Sequence, residues 1–217
     1  MDSIFNQNFV NFKALFKKVK PQICLDIGAH VGHFTREILD SFPDCRCLML
    51  EANPSCRSHL MKIGQPFEIV ALSKQRGESL FYVENLNPIA TGASLFRENT
   101  QFYSPENSHT LRVALSTLDL LNPFPNSLID LIKIDTQGSE LDILKGGTQT
   151  LTRCRFLLLE VSLVPYNLEA PLMDEVLSWT AEHNFEICDV LDYHRLVNNQ
   201  IFQLDVLLIN TSPFLKV

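Results

Sequence analysis

The sequence has little positive charge, no long apolar run and no paired-cysteine motif. Its 18 lysines and arginines are outnumbered by 25 aspartates and glutamates, which gives a formal net charge of -7. Nucleic-acid binding normally needs a basic surface, so that class of partner is disfavoured. No apolar stretch is long enough to span a bilayer, and the first thirteen residues lack the features of a signal peptide. We therefore expect a cytoplasmic protein that binds neither nucleic acid nor membrane.

The six cysteines form no C-x-x-C pair and no spacing typical of zinc, so they predict no metal site. Four of them lie in or beside apolar runs, as reduced core cysteines do: Cys24, Cys45, Cys47 and Cys154. This placement favours a reducing compartment. The 217 residues, of which 46% are hydrophobic, suit one α/β domain with a sizeable core.

Glycine is also sparse, and its positions exclude a dinucleotide fingerprint. Residues 23–32 are typical of a short apolar strand, a glycine turn and a helix start, the first unit of an open α/β fold. Gly28 and Gly32 are present, but His30 and His33 stand where the G-x-G-x-x-G fingerprint has its second and third glycines. A histidine side chain would fill the space through which a pyrophosphate approaches the backbone. An NAD-dependent oxidoreductase is therefore disfavoured.

Asp26, at the end of this first strand, indicates the charge of the ligand. A carboxylate at this place repels phosphate and attracts a cation. S-adenosylmethionine fits such a site, because it is a nucleoside with an ammonium, a sulfonium and one carboxylate, which the helix amides after Ala29 can receive. The alternative from these residues alone is a structural glycine turn in another kind of α/β protein.

Glu51 follows the second apolar run, 45–50, and lies nineteen residues after Gly32. In nucleoside-binding α/β units, an acidic residue about twenty residues beyond the glycines binds the ribose hydroxyls. A carboxylate accepts two such donors, so we predict a ribose-binding role for Glu51 rather than a solvated strand end. Ser73 follows the third apolar run, 67–72, where an adenine ring can lie against the chain.

The remaining periodicity predicts one domain with two additions. Apolar residues at helical spacing over 3–19 predict a leading helix, residues 1–20, that packs on the domain. Residues 21–217 are predicted to form a single domain, whose last two strands have no helix between them and so form an antiparallel hairpin at the sheet edge. Residues 84–110 lack periodicity, and we predict that they form a substrate lid, with a tolerated insertion as the alternative.

Two predicted strands end in carboxylates that suit proton transfer. Asp135 follows the apolar run 128–134, and Glu160 lies near the end of the run 156–161. Strand ends at the switch point of an open sheet lie beside the ligand, so Asp135 is the first candidate for a catalytic base and Glu160 the second. Lys133 has the same strand parity as Asp135 and is predicted to neutralise or orient a carboxylate. The alternative for Asp135 is a helix cap.

Other titratable residues are interpreted as structural. Residues 136–147 are predicted to form a helix with Glu140 in its first turn. His109 and His194 are predicted to lie at the surface, with a role as catalytic base as the alternative. A divalent cation between Asp135 and Glu160 stays open, because the sequence supplies no ligand set.

These stretches together resemble the FkbM type of class I, S-adenosylmethionine-dependent methyltransferases. The matching segments are LDIGAHVG (25–32), MLEANP (49–54), IVALS (69–73), TLDLL (117–121), LIKIDTQGSELDILKGG (131–147) and LLLEVSLVPYN (157–167). The first is a general methyltransferase signal, whereas the last two in combination are particular to the family. The resemblance implies an α/β, Rossmann-like, seven-stranded and mostly parallel sheet with helices on both faces and an antiparallel last strand.

The resemblance also implies where cofactor and substrate bind. The predicted cofactor-binding residues are Asp26, Gly28, Ala29, His30, Gly32, Glu51, Ala52, Asn53, Ala71, Leu72, Ser73 and Asp135. The predicted catalytic residues are Asp135, Glu160 and Lys133. The predicted substrate-binding residues are Ser94, Ser162, Tyr166 and Asn167. Gln137 departs from the family, because many relatives carry glutamate there, and His30 stands where relatives often have asparagine.

The expected activity is O-methylation of a hydroxyl on a sugar, glycan or small metabolite, with S-adenosylmethionine as cofactor. The alternatives are N-methylation and a cofactor-binding module that no longer catalyses, a reading to which only Gln137 points. The expected partner is thus a small molecule or glycan. The sequence names neither the acceptor nor the oligomeric state.

Overall fold

A computed structural model describes residues 10–212 of the protein. Its strands are β1 (Ile23–Ile27), β2 (Arg46–Glu51), β3 (Phe67–Ile69), β4 (Ala71–Leu72), β5 (Gly77–Glu84), β6 (Ser108–Ser116), β7 (Ile129–Ile134), β8 (Cys154–Ser162), β9 (Phe185–Arg195) and β10 (Ile201–Asn210). Seven of them form one sheet in the order β3-β2-β1-β7-β8-β10-β9. Strand β10 is antiparallel to both of its neighbours, and the other pairs are parallel. The predicted mostly parallel sheet with a reversed last strand is confirmed.

Helices cover both faces of this sheet, as predicted. They are α1 (Phe12–Lys18), α2 (His33–Ser41), α3 (Arg57–Leu60), α4 (Leu118–Leu121), α5 (Glu140–Lys145), α6 (Thr148–Leu151) and α7 (Met173–Glu182). One apolar cluster contains Ile143 of α5 and Val176 of α7, and a second contains Leu15 of α1 and Ile38 of α2. Within residues 10–212, no helix is long and apolar enough to cross a membrane.

The leading helix is described only from its second half onward. Helix α1 begins at Phe12, where the Asn11 side chain accepts a hydrogen bond from the Ala14 amide at 3.1 Å. It packs on the sheet through Leu15, which is fully buried. The earlier part of the predicted helix, residues 3–9, lies outside the described residues.

The third predicted strand, residues 67–72, is divided between two sheets. Strand β3 pairs with β2 in the main sheet, and the Val70 amide donates to the Glu51 carbonyl at 2.7 Å. Strand β4 instead pairs with β6 in a second, three-stranded sheet of order β4-β6-β5. The prediction of one continuous strand is wrong here, because β2 ends opposite Ile69 and the next residues find their partners on β6.

The helix predicted over residues 136–147 begins four residues late. Gln137 and Gly138 have φ angles of 56° and 116°, which are left-handed, and α5 starts at Glu140. The Glu140 carboxylate accepts hydrogen bonds from the amides of Thr136 and Gly138 at 2.8 and 2.9 Å. Glu140 therefore has the structural role predicted for it, and it closes the turn that carries Gln137.

The segment between β5 and β6, residues 85–107, contains a short 3₁₀ turn at Gln101–Tyr103. Isolated backbone bridges pair Tyr82 with Ser94 and Glu98 with Asn167. The segment thus lies against β5 and against the chain that follows β8. Its role as a substrate lid stays a prediction.

Gly28 is the position at which the main sheet depends most on the absence of a side chain. Its φ is 75°, and an added Cβ would lie 1.8 Å from the Asp135 carbonyl oxygen. The Gly28 amide donates to the Leu50 carbonyl at 2.9 Å, and the Asp135 amide donates to the Ile27 carbonyl at 3.1 Å. The ends of β1, β2 and β7 are therefore held together at the glycine.

We predict that Gly28→Ala destabilises the protein more than Gly64→Ala, and that Gly77→Ala has the smallest effect. Gly64 has a left-handed φ of 78° but nothing within 4 Å of the Cβ position, so backbone strain of about 1–2 kcal/mol is expected alone. Gly28→Ala adds a clash with backbone, which no side-chain rotation relieves. Gly77 has neither feature. Urea unfolding of the three variants measures the loss in the free energy of unfolding. Equal losses for Gly28→Ala and Gly64→Ala would contradict the predicted clash at Gly28.

Candidate active site

The carboxyl ends of β1, β2, β7 and β8 open into a cavity of about 880 Å³. Small-molecule sites typically have volumes of about 300–1,000 Å³. The walls are the turn after β1, the end of β2, residues 87–93 and a group of charged side chains beyond β7 and β8. Strands β1 and β7 are neighbours, and the next strands of the main sheet along the chain, β2 and β8, lie on opposite sides of this pair. The cavity therefore lies at the switch point where open α/β sheets bind ligands.

The turn after β1 forms one wall of this cavity. The amides of Gly28 and Ala29 donate to the Leu50 carbonyl at 2.9 and 3.1 Å, and both residues line the cavity together with His30. Gly32, with a φ of 79°, precedes α2. The structure thus brings together the residues of the predicted turn, and their contacts with a cofactor belong to the proposal below.

Asp26 lies beneath this turn rather than on the cavity wall. Its side chain is fully buried and accepts a hydrogen bond from the Thr35 hydroxyl at 2.7 Å. Its other oxygen lies 3.5 Å from the Lys133 ammonium. Asp26 therefore pairs with the Lys133 ammonium, whereas the sequence suggested that it attracts a cationic ligand directly.

Glu51 projects from the end of β2 onto the cavity wall. Its carboxylate accepts hydrogen bonds from the backbone amides of His30 at 2.7 Å and Asn53 at 2.6 Å. Burial raises the pKa of Glu51, and these two amides oppose that effect. Each oxygen keeps a further lone pair, so the carboxylate is placed and oriented to accept hydroxyl donors.

Two side chains of this wall reach across the cavity to the loop between β5 and β6. His30 Nε2 donates to the Ile89 carbonyl at 2.6 Å, and Asn53 Nδ2 donates to the Pro88 carbonyl at 2.7 Å. Residues 89–93 line the cavity. The loop is thus fastened over the cavity by residues that also border Glu51.

The second sheet supplies an apolar wall. Ala71 and Leu72 of β4 line the cavity with Ala52 and with Ile143 of α5. Ser73 is 7% exposed, and its amide donates to the Ser116 carbonyl at 2.9 Å. Ser73 therefore fixes the end of β4 and does not itself line the cavity.

Lys133 provides the buried positive charge of the site. Its ammonium donates to the Gly28 carbonyl at 3.1 Å and lies 3.2 Å from Asp135 and 3.5 Å from Asp26. Burial disfavours the ammonium, but the charges of Asp135 and Asp26 outweigh burial and raise the pKa of Lys133. The predicted neutralising role of Lys133 agrees with these contacts.

Asp135 is more exposed to the cavity than the neighbouring carboxylates Glu160 and Asp205. Its side chain is 34% exposed, and Gln137 donates a hydrogen bond to Oδ1 at 3.3 Å. Burial alone would raise the pKa of Asp135, but the Lys133 ammonium lowers it below the ordinary value. Asp135 is therefore ionised at neutral pH and directed into the cavity.

Glu160 lies beside Asp135 but is held differently. Its Oε2 atom accepts hydrogen bonds from Gln137 Nε2 and, at 3.0 Å, from Gln203 Nε2. Burial raises the pKa of Glu160 well above its ordinary value, and the charges of Asp135 and Asp205 add to this effect. The two predicted candidates for a base thus meet at one site, and Gln137 bridges them.

The sequence reasoning missed three residues of the site: His194, Gln203 and Asp205. His194 was predicted at the surface, but its Nε2 lies 3.4 Å from Asp205 and 3.6 Å from Glu160. The pairing of β10 with β8 and β9 creates this group, because Asp205 pairs with Glu160 and Gln203 pairs with His194. Two polar residues inside the apolar strand IFQLDVLLIN were the signal that could have found them.

The predicted substrate-binding residues do not lie together. Tyr166 lines the cavity, whereas Ser94, Ser162 and Asn167 do not. The buried Ser94 hydroxyl donates to the Gln137 carbonyl at 2.8 Å, and the Asn167 amide donates to the Phe96 carbonyl at 3.0 Å. Ser94 and Asn167 thus fix the loop between β5 and β6.

We predict that Lys133→Met lowers the free energy of unfolding by about 3–5 kcal/mol, because it leaves the Asp26 and Asp135 carboxylates without their shared cation. Lys74→Met is the matched control. It removes an ion pair with Asp142 in which the lysine side chain is 54% exposed, so a loss below about 1 kcal/mol is expected. Chemical unfolding measures both, and a similar small loss in each variant would contradict the proposed role of the buried ammonium.

Comparisons with known proteins agree with this geometry. Residues 26–187 match the Methyltransferase FkbM domain. The chain is 30% identical to the 2-O-methyltransferase NoeI of Sinorhizobium fredii over 167 residues, which are 69% of this chain and 66% of that protein.

Solved structures show the same fold at low sequence identity. Methyltransferase FkbM from Methylobacillus flagellatus superposes with a TM-score of 0.53 at 13% identity over 86% of this chain and 44% of the other. Sp1610 of Streptococcus pneumoniae, a putative tRNA (m1A22) methyltransferase, gives 0.52 at 14% identity over 100% and 73%. The match to the family model over residues 26–187 shows that the chain belongs to the FkbM family of S-adenosylmethionine-dependent methyltransferases.

Proposed function

We propose that the protein transfers a methyl group from S-adenosylmethionine to a hydroxyl of a sugar, glycan or small metabolite. The observation that carries this proposal is the Asp135 carboxylate, which is ionised and exposed to the cavity at the switch point of the sheet. The relative NoeI, named a 2-O-methyltransferase, supports the choice of oxygen as the acceptor atom.

The residues of the cavity fit this cofactor. Glu51 would accept hydrogen bonds from the ribose hydroxyls, and the apolar wall of Ala71 and Leu72 would contact the adenine. Gly28 and Ala29 would border the methionine part. The carboxylates beyond β7 and β8 leave the far end of the cavity with negative charge, which complements a sulfonium. The bound cofactor supplies an activated methyl group, and the protein supplies alignment and charge.

Asp135 accepts the proton in this proposal. The bound cofactor would supply the methyl group to the acceptor oxygen and leave as S-adenosylhomocysteine, and Asp135 would receive the proton that this oxygen gives up. The oxygen becomes strongly acidic during this step, so even a carboxylate of lowered pKa takes its proton. Lys133 and Gln137 hold Asp135 in place by contacts at 3.2 and 3.3 Å. Glu160 is the second candidate for the same transfer.

The same charges favour oxygen over nitrogen as the acceptor. Several carboxylates surround the far end of the cavity, and they would stabilise the ammonium form of an amine. An ammonium has no lone pair with which to attack the methyl carbon, whereas a hydroxyl keeps its lone pairs and donates its proton to a carboxylate. The loop fastened by His30 and Asn53 is, in this proposal, the substrate lid.

We predict that the protein binds S-adenosylmethionine and S-adenosylhomocysteine at one site per chain and does not bind NAD. Glu51→Ala is expected to weaken binding at least about tenfold, because it removes hydrogen bonds to a charged acceptor that contribute about 1.5–3 kcal/mol each. Glu68→Ala, an exposed change on neighbouring β3, is the control. Titration calorimetry measures the affinities. Absence of binding to the wild type, or equal affinities of the two variants, would contradict the proposed cofactor site.

We predict methyl transfer to a sugar hydroxyl and none to the matched amine. Three related acceptors test this: a monosaccharide or glycan with a free 2-hydroxyl, its 2-deoxy analogue and its 2-amino-2-deoxy analogue. Release of S-adenosylhomocysteine is expected with the first alone. Asp135→Asn should lower turnover at least about 100-fold, whereas the exposed Asp174→Asn should leave it unchanged. Turnover with the amine analogue alone would replace O-methylation by N-methylation.

A further inference from the structure

Three potential metal ligands lie on adjacent strands at the far end of the cavity. Glu160 is on β8, Asp205 on β10 and His194 on β9, and all three line the cavity. One ligand atom from each lies within 4.8 Å of the others. Their spacing in the sequence matches no metal-binding motif, and it is the register of the three strands that brings them together.

Two carboxylates of this group lie side by side, which favours the binding of a cation. Glu160 and Asp205 are direct partners across β8 and β10, and like charges in that relation destabilise a sheet. On its other side Asp205 pairs with Asp192 of β9, a third carboxylate in the same row. Glu160 and Asp205 are 8% and 5% exposed, so water screens them little.

His194 lies close to both carboxylates, but at distances longer than a charge-assisted hydrogen bond to either one. The same atom, Nε2, faces Asp205 at 3.4 Å and Glu160 at 3.6 Å. Charge-assisted hydrogen bonds have lengths of about 2.7–2.9 Å. Ligand atoms around an octahedral ion with bonds of about 2.1 Å lie about 3.0–4.2 Å apart, a range that includes both His194 distances.

The surrounding amides orient the glutamate for this purpose. Gln137 and Gln203 both donate to Glu160 Oε2, which leaves Oε1 directed at His194. Amide donors behind a ligating carboxylate are typical of metal sites, where they fix the ligand and tune it.

We propose that Glu160, His194 and Asp205 bind a divalent transition-metal ion, which holds the oxygen of the methyl acceptor. One imidazole and two carboxylates favour manganese, iron, cobalt or zinc over magnesium and calcium, which prefer oxygen ligands alone. Three protein ligands leave coordination positions open toward the cavity, as in catalytic sites. This inference rests on the proposed function and refines it: an acceptor with two neighbouring hydroxyls can occupy two open positions, and its reacting hydroxyl then passes its proton to Asp135.

Titration of the chelator-treated full chain with Mn²⁺ and with Co²⁺ tests the site. Calorimetry and the paramagnetic resonance of bound Mn²⁺ should show one ion per chain, with a nitrogen ligand visible in its hyperfine couplings. Asp205→Asn and His194→Gln should each weaken Mn²⁺ binding at least about tenfold, the lower limit expected even for loss of an outer-sphere partner. Asp189→Asn is the control, because Asp189 is on the same strand as His194 but pairs with Lys18 of α1 and does not line the cavity.

Two results would overturn the inference. The first is wild-type protein that binds neither Mn²⁺ nor Co²⁺, a result that needs no variant to fold. The second is binding that is equal in the wild type, Asp205→Asn and His194→Gln, since the ion would then lie elsewhere. S-adenosylmethionine calorimetry on the same samples separates this from the proposed function. Cofactor binding and full turnover in the presence of a chelator would reject the metal site alone. Absent cofactor binding beside intact Mn²⁺ binding would reject the methyltransferase proposal and the acceptor-holding role of the ion, but not the ion's ligands.

Discussion

The ammonium of Lys133 is the charge around which the active site is assembled. It contacts the Gly28 carbonyl, Asp26 and Asp135 at 3.1, 3.5 and 3.2 Å, and it lies 5.7 Å from the centre of the Phe34 ring. One buried cation therefore joins the turn after β1 to the end of β7. Without this ammonium, the Asp26 and Asp135 carboxylates would have no shared cation in a protein interior that screens charge poorly. The cofactor turn and the proposed proton acceptor are thus parts of one electrostatic unit.

Gln137 explains how the Glu160 carboxylate can lie beside that of Asp135. Its Nε2 donates to Asp135 and to Glu160, which an ionised glutamate in its place would repel. The residue stands where many relatives carry glutamate, and that difference suggested a chain that binds the cofactor without catalysing. The contacts favour the opposite interpretation, because a neutral donor lets both carboxylates face one cavity. The departure from the family is therefore compatible with methyl transfer.

The part of the site that local sequence encodes was predictable, and the part that strand register creates was not. The turn at Gly28, the carboxylate of Glu51 and the ends of β7 and β8 follow from apolar runs and from spacing along the chain. Asp205 reaches the site only because β10 inserts between β8 and β9 and lies opposite Glu160, which is distant in the sequence. The pairing of β9 with β10 then brings His194 beside them, opposite Gln203. The splitting of residues 67–72 between two sheets has the same origin, since the partner strand β6 lies about forty residues away.

The loop between β5 and β6 is connected to the same unit through the cofactor turn. His30 and Asn53 each donate a hydrogen bond to a loop carbonyl, and the backbone amide of each donates to Glu51. Two such side-chain hydrogen bonds contribute about 1–3 kcal/mol together. This changes the equilibrium constant between the fastened and the released loop by about one to two orders of magnitude. Glu51 therefore links the predicted ribose site to the position of the loop. In the proposed reaction, the residues that orient Glu51 toward the methyl donor also hold the loop beside which the acceptor binds.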